Sequence, residues 1–212
     1  MVAKESESEL DRGDEAPPFS LPGTDGGTHS LDSFRDSDAL LLVFSCNHCP
    51  YAQAKFDLLN ELAAEYDDAA VVGINPNDAV EAGEIDYDAY LRDESQTVAE
   101  AYGATCTPDP FLFRKEGDSW TLAYHGRLDD ALNPDDEASE IYIRDAIEAV
   151  LAGEAVDIPD RRVAAASSGR RTERRSVCVS SRPVRGPAPA PRGRSRRRQA
   201  VSPGRPRPWL AA

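Results

Sequence analysis

One short segment constrains the fold of this chain more than any other: the apolar run Ala39–Phe44, followed almost at once by Cys46-Asn47-His48-Cys49-Pro50. Six apolar residues in a row predict a buried strand. A proline suits the first turn of a helix, because its missing N–H has no partner there anyway. We therefore expect a strand that ends in a Cys-x-x-Cys pair and opens into a helix, which is typical of dithiol redox proteins.

The spacing of the two cysteines also indicates their chemistry. A sulfur at a helix N-terminus lies near unpaired backbone N–H groups and the positive end of the helix dipole, which stabilise a thiolate. We expect Cys46 to have the lower pKa, and Cys49 to lie one turn below and to close a disulfide with it. An imidazole at His48 would stabilise the thiolate further, and a solvated loop side chain is the alternative.

Strand and helix patterns alternate along the chain up to residue 160. A helical pattern follows Pro50, a second buried strand is predicted over residues 69–74, and an acidic connector runs to about residue 87. Ser95 has the residue type of an N-cap for a helix that ends at Gly103, and a last helix is predicted at 137–151. Hairpins are predicted within 13–34 and 111–128, and the charged segment Arg127–Asp130 is interpreted as a solvated hairpin exit. This order predicts an α/β domain with a mixed central sheet flanked by helices.

Charge is distributed very unevenly along the chain. Residues 161–212 contain 15 Arg and one acidic residue, so residues 1–160 contain the other 9 basic and 37 acidic residues. Such an acidic excess repels itself in dilute buffer and keeps a protein soluble where salt screens it, which favours a halophilic source. No secretory signal and no run of transmembrane length is visible, so we expect a cytoplasmic protein.

Composition divides the chain into three segments. Residues 1–12 are a charged acidic lead-in and residues 161–212 are an Arg/Pro-rich basic tail, and both are predicted to be disordered. Between them, residues 13–160 are predicted to form one domain, since the chain is long enough for a single well-buried core.

Three motifs in chain order resemble thioredoxin-fold proteins of the redoxin group, which includes alkyl hydroperoxide reductase-like proteins and thiol–disulfide oxidoreductases. The motifs are Gly13–Leu21, the strand into Cys46–Tyr51, and Tyr102–Phe113. The resemblance implies a thioredoxin fold and an enzyme that reduces substrate disulfides. It implies no bound cofactor beyond a redox-active disulfide, with protein or small-molecule disulfides and an upstream thiol reductase as partners.

The resemblance also implies a role for individual residues. Cys46 is the attacking thiolate and Cys49 is the resolving thiol. Pro108 stands where these proteins carry a cis-proline facing the disulfide, which presents the Thr107 backbone to an extended substrate segment. Cys106, two residues before that proline, is either a third redox thiol or a small buried residue.

Two other functions remain open on the sequence alone. Peroxiredoxins, which are thiol peroxidases, carry Thr or Ser three residues before the reactive cysteine, whereas this chain has Val43 before Cys46 and Cys46 itself before Cys49. A structural zinc site needs four ligands, usually from two such pairs, and this domain has one Cys-x-x-Cys. The non-enzymatic alternative is a redox-sensing or zinc-binding module, but we expect no metal.

The resemblance does not extend to the basic tail. Relatives tend to end on a segment like Gly-Cys-Ser-Ile-Lys-Trp. Codons for Val163–Arg170 can be chosen so that the next reading frame encodes Gly-Cys-Ser-Ile-Glu-Trp-Lys. We interpret the tail as an out-of-frame product that begins near residue 162. On this interpretation its arginines indicate neither a nucleic-acid nor a membrane partner.

Overall fold

Nine β-strands and four α-helices are present in the described part of the chain, residues 2–5, 8, 10–77, 85–158 and 164–167 of a computed structural model. A short 3-10 turn covers Leu31–Phe34. The elements in chain order are β1 (Val2–Glu5), β2 (Ser20–Pro22), β3 (Thr28–Ser30), β4 (Ala39–Phe44), α1 (Pro50–Gln53), α2 (Phe56–Glu65), β5 (Ala69–Asn75), β6 (Ala89–Arg92), α3 (Thr97–Tyr102), β7 (Asp109–Glu116), β8 (Ser119–His125), α4 (Tyr142–Leu151) and β9 (Ala164–Ser167).

A five-stranded mixed sheet with the order β6-β5-β4-β7-β8 is the centre of the fold. β4 runs parallel to β5, and β5 runs parallel to β6. β7 is antiparallel to β4, and β8 is antiparallel to β7. The predicted mixed sheet and thioredoxin fold are confirmed, with β4 as the central strand that leads to the two cysteines.

Both faces of the central sheet are buried. Every residue of β4 and β5 is buried, which explains why their sequences are continuously apolar rather than alternating. Leu40 and Leu42 face one core, which includes α3, whereas Leu41 and Val43 face the other, which includes α2 and α4. Burial of each such side chain stabilises the fold by about 1.5–3 kcal/mol. The carboxyl end of β4 is therefore rigidly placed.

The predicted hairpins are confirmed, and several helix boundaries differ from the prediction. β2 pairs with β3, and β7 pairs with β8. The helical segment after Pro50 is broken into α1 and α2 at Ala54 and Lys55. The last helix begins at Tyr142 rather than near residue 137. The edge strand β6, four residues long, was not predicted from the acidic connector beside it.

The N-terminal cap of α3 also differs from the prediction. The residue before the helix is Gln96, which has a positive φ of 62°, rather than Ser95. The buried carboxylate of Asp93 accepts a hydrogen bond from the Ala99 N–H at 2.8 Å. Asp93 thus supplies the acceptor that was expected from Ser95. Gly103 ends the helix in the left-handed conformation, as predicted.

Two short strands lie in segments that were predicted to be disordered. β1 pairs antiparallel with β9, with Val2 opposite Ser167 and Glu5 opposite Ala164. For the remainder of residues 1–12 and 161–212, disorder stays a prediction. The strand β9 is mostly alanine, a weak strand former, so its pairing with β1 could not be inferred from propensity. The tail beyond Ser167 lies outside the described residues. None of the described helices is long and apolar enough to cross a membrane.

Candidate active site

The two cysteines lie at the carboxyl end of the central strand. The Ser45 N–H still bonds to the Ile74 carbonyl at 2.9 Å, and Cys46 is the next residue. Helix α1 begins at Pro50, as predicted, and Cys49 is its N-cap. Because the helix begins after the second cysteine, the prediction that Cys46 occupies the helix N-terminus is wrong.

Thr107 contacts both sulfurs. The Cys46 Sγ lies 3.5 Å from the Thr107 hydroxyl oxygen, and the Cys49 Sγ lies 3.5 Å from the Thr107 carbonyl oxygen. The Thr107–Pro108 peptide bond is cis, which confirms the expectation for Pro108. The threonine is almost fully buried. One residue thus faces the pair with its side chain and its backbone.

The surroundings shift the pKa values of the two thiols in opposite directions. A hydrogen bond from Cys46, aided by the Ala52 and Tyr51 N–H groups, lowers the pKa of Cys49 to about 5. The same hydrogen bond, together with burial, raises the pKa of Cys46, which is 4% exposed. The prediction that Cys46 has the lower pKa is therefore wrong. The physical reason is that the hydrogen bond between the two sulfurs stabilises the Cys49 thiolate, and the Ala52 and Tyr51 N–H groups of a helix that begins at Pro50 add to this effect.

The other cysteine and histidine candidates occupy contrasting positions. The His48 side chain is exposed, and its backbone N–H opposes the rise in the pKa of Cys46. Cys106 is 4% exposed and directly precedes Thr107. All three described cysteines are free thiols. Within the described residues, no group of three Cys, His, Asp or Glu side chains could hold a metal ion. The tuning role of His48 and the redox role of Cys106 remain predictions.

A network of hydrogen bonds, which was not predicted from the sequence, holds Asn47, the residue that follows Cys46. The Asn47 Oδ1 accepts hydrogen bonds from the Asn75 Nδ2 at 3.0 Å and from the Tyr90 hydroxyl at 2.7 Å. Gln53 donates to the Asn47 carbonyl at 2.6 Å. Asn75 is fully buried at the end of β5. The available signal in the sequence was an asparagine at the end of an apolar strand. A buried amide needs hydrogen-bond partners, so this residue could have indicated a polar network.

A pocket of about 420 Å³, open to solvent, lies beside the cis-proline. At its wall the Lys55 Nζ contacts both carboxylate oxygens of Asp129, at 2.9 and 2.7 Å. The aspartate side chain is 3% exposed, so the interpretation of Arg127–Asp130 as a solvated exit is wrong for this residue. The lining residues are Tyr51, Lys55, Pro108, Arg127, Leu128, Asp129, Ala131 and Leu132.

Comparisons with known proteins agree with this architecture. The sequence profile of the AhpC/TSA family matches residues 12–118. A hypothetical protein from Sinorhizobium meliloti 1021 is 36% identical with a TM-score of 0.68, over 76% of this chain and 94% of that one. An uncharacterized conserved protein from Geobacillus kaustophilus is 33% identical with a TM-score of 0.67, over 77% and 94%. No curated protein gives a significant match.

Proposed function

The chain belongs to the AhpC/TSA family, and from this membership, which supports a redox function, we propose that it is a thiol–disulfide oxidoreductase. Its reacting groups are Cys46 and Cys49. The observation that carries the proposal is the hydrogen-bonded pair of free thiols at the end of β4, faced by Thr107 beside a cis-proline. A pair in this arrangement can exchange a disulfide with a substrate.

The first step is attack by Cys46 on one sulfur of the substrate disulfide. The Cys46 proton passes to the Cys49 thiolate through the hydrogen bond between the two groups. The substrate S–S bond breaks, a mixed disulfide forms on Cys46, and one substrate sulfur leaves as a thiolate that takes a proton from solvent. The Thr107 hydroxyl lies beside the attacking sulfur and orients it.

The second step releases the substrate. Because its pKa is lowered, Cys49 returns its proton to solvent readily and attacks the Cys46 sulfur of the mixed disulfide. The second substrate thiolate leaves and is protonated. Two electrons have then moved from the protein to the substrate, which becomes two thiols, while the protein holds a Cys46–Cys49 disulfide. An external dithiol, such as a reductase or another dithiol protein, restores the reduced pair, so the reaction needs no bound cofactor.

A trapping experiment tests the order of the two cysteines. We expect Cys49→Ser to accumulate a mixed disulfide with substrate and Cys46→Ser to form none. Mass spectrometry of both variants detects the mixed disulfide. Trapping in Cys46→Ser alone would reverse the roles, in agreement with the lower pKa of Cys49. Trapping in neither variant, with insulin reduction absent in the wild type, would contradict the proposed function.

Peroxide reduction is the second candidate, because the chain matches the AhpC/TSA family and its motifs resemble alkyl hydroperoxide reductase-like proteins. Val43 stands where the peroxiredoxin motif has Thr or Ser, which argues for disulfide substrates instead. Consumption of hydrogen peroxide, measured with the same external dithiol, separates the two activities. The proposal includes a reducing cytosol as the setting, since a close cysteine pair there is more often catalytic than structural.

A further inference from the structure

Arg127 is a cation in a strongly acidic part of the chain. Residues 1–160 contain 37 acidic and 9 basic residues, and several of the basic ones are paired, such as Arg144 with Glu65. The Arg127 guanidinium has no ion pair among the described residues, and its Nη2 is buried without a hydrogen-bond partner. An arginine that lines an open pocket without an ion pair of its own can offer its other N–H groups to an anionic acceptor.

The position of Arg127 connects it to the redox pair. It lines the pocket of about 420 Å³ together with Pro108 and Tyr51. The residue before Pro108 contacts both sulfurs, and Tyr51 directly follows Pro50 at the start of α1. The pocket therefore lies beside the cis-proline and the first turn of α1, one residue from Thr107 and two from Cys49 along the chain.

The second cation of the pocket is not available for a ligand. Lys55 is held by both carboxylate oxygens of Asp129, and this pair is largely closed to solvent. The charge that remains for an incoming anion belongs to Arg127. A guanidinium binds a carboxylate well, because its planar N–H groups match the two carboxylate oxygens.

The remaining walls are apolar. Leu132 is 56% exposed, and no other large hydrophobic side chain among the described residues is exposed. It lines the pocket, as do Leu128 and Ala131. The pocket is open to solvent, so a ligand can enter it directly. The site therefore combines one cationic donor with apolar walls that a compact molecule can contact.

We propose that this pocket binds a low-molecular-weight disulfide that carries a carboxylate near its sulfurs, with the carboxylate on Arg127 and the disulfide facing Cys46. This inference rests on the proposed function and names the substrate class for the same reaction. The dithiol of the protein is oxidised and the bound disulfide becomes two thiols, by the steps given above.

The test compares three small disulfides that differ in charge: dithiodiglycolate, which is anionic, bis(2-hydroxyethyl) disulfide, which is neutral, and cystamine, which is cationic. We measure kcat/KM with a dithiol reductant at one fixed high salt concentration for the wild type, Arg127→Gln and Arg127→Lys. Arg92→Gln is the matched control, because it removes the same charge from β6, where Arg92 pairs with Glu94 at 2.8 Å. Thermal melts establish that each variant is folded.

We expect Arg127→Gln to lower the anionic-to-neutral ratio of kcat/KM about tenfold, which corresponds to the loss of one charged hydrogen bond. Arg127→Lys keeps part of the ratio, and Arg92→Gln keeps all of it. In a second measurement, thiodiglycolate, a thioether that cannot be reduced, inhibits turnover of the neutral disulfide competitively in the wild type. This measurement does not depend on the folding of any variant.

The following outcomes would overturn the inference that the pocket binds a carboxylate-bearing disulfide. An unchanged ratio in Arg127→Gln, an equal fall in Arg92→Gln, or no inhibition by thiodiglycolate rejects the carboxylate site while the neutral disulfide is still reduced. Reduction of insulin but of none of the three small disulfides assigns the pocket to protein substrates. If the wild type reduces no disulfide at all, the proposed function itself fails.

Discussion

At the scale of single residues, the hydrogen bond between the two sulfurs decides which thiol is ionised. It is the largest cause of both pKa shifts, and it lowers the pKa of Cys49 to about 5. These directions favour the thiolate on Cys49 rather than on Cys46 in the reduced protein. The order of the two cysteines in the motif predicted instead that Cys46 has the lower pKa.

Replacement of the donor should move the titration of the acceptor. We expect Cys46→Ala to raise the pKa of Cys49, since the thiolate loses its hydrogen bond from Cys46, and the thiolate fraction at neutral pH then falls. Alkylation rates measured against pH, with the Cys49 peptide followed by mass spectrometry, report this shift. A midpoint that stays near pH 5 would contradict it. A separate curve for the Cys46 peptide in His48→Ala measures the tuning role predicted for His48, which requires a shift of the Cys46 pKa to higher pH.

Two neighbouring tyrosines give a second residue-scale prediction. The Tyr90 hydroxyl donates to Asn47, whereas the buried Tyr87 hydroxyl has no hydrogen-bond partner among the described residues. We expect Tyr90→Phe to lower the free energy of unfolding by about 1 kcal/mol and to change the reactivity of the cysteines. Tyr87→Phe should be neutral or stabilising. Urea denaturation and alkylation of both variants check this, and equal effects would contradict the role of the network.

Part of the site could be predicted from the sequence, and part of it could not. The cysteine pair and the cis-proline at Pro108 were predicted, because a local motif and a family resemblance specify them. The roles of Asn75 and Arg127 were not, because they depend on which strands and loops become neighbours in the fold. The lower pKa of Cys49 also escaped prediction, since it depends on which sulfur accepts the hydrogen bond between them, and the order of the cysteines in the chain does not specify this.

At the scale of elements, the ion pair between Lys55 and Asp129 joins the α1–α2 junction to the segment after β8. Lys55 is the residue at which the helical segment is interrupted, and its side chain reaches a carboxylate that is 3% exposed. The apolar pattern after Pro50 predicted one continuous helix. The Lys55 contact at this interruption could not be predicted, because its partner lies 74 residues further along the chain.

We expect Asp129→Ala to lower the free energy of unfolding by about 3–5 kcal/mol, because it leaves the Lys55 charge buried without its partner. The double variant Lys55→Met with Asp129→Leu should recover most of this loss. Asp32→Ala is the control, since its pair with Arg35 is exposed and is screened by solvent. Urea denaturation measures all three. A loss in Asp129→Ala no greater than that in Asp32→Ala would show that the pair is not structurally important.

At the scale of the whole molecule, the acidic excess of residues 1–160 predicts a stability that depends on salt. With 37 acidic and 9 basic residues, repulsion between carboxylates opposes the compact state at low ionic strength. We expect the melting temperature to rise steeply from dilute buffer to concentrated KCl. The same melting temperature in both solutions would count against the halophilic source, which remains a prediction.

The basic tail gives the last prediction. Most of it lies outside the described residues, and its one described element, β9, pairs with β1 in a two-stranded sheet, which contributes marginal stability by itself. We expect chains that end at Asp160 and at Ser167 to reduce a model disulfide at the full-length rate, and the difference between their free energies of unfolding to measure the pairing of β1 with β9. A large loss of activity in either chain would assign the tail a function. The gene itself tests the frameshift interpretation, because its codons for Val163–Arg170 either encode Gly-Cys-Ser-Ile-Glu-Trp-Lys in the next frame or reject the interpretation outright.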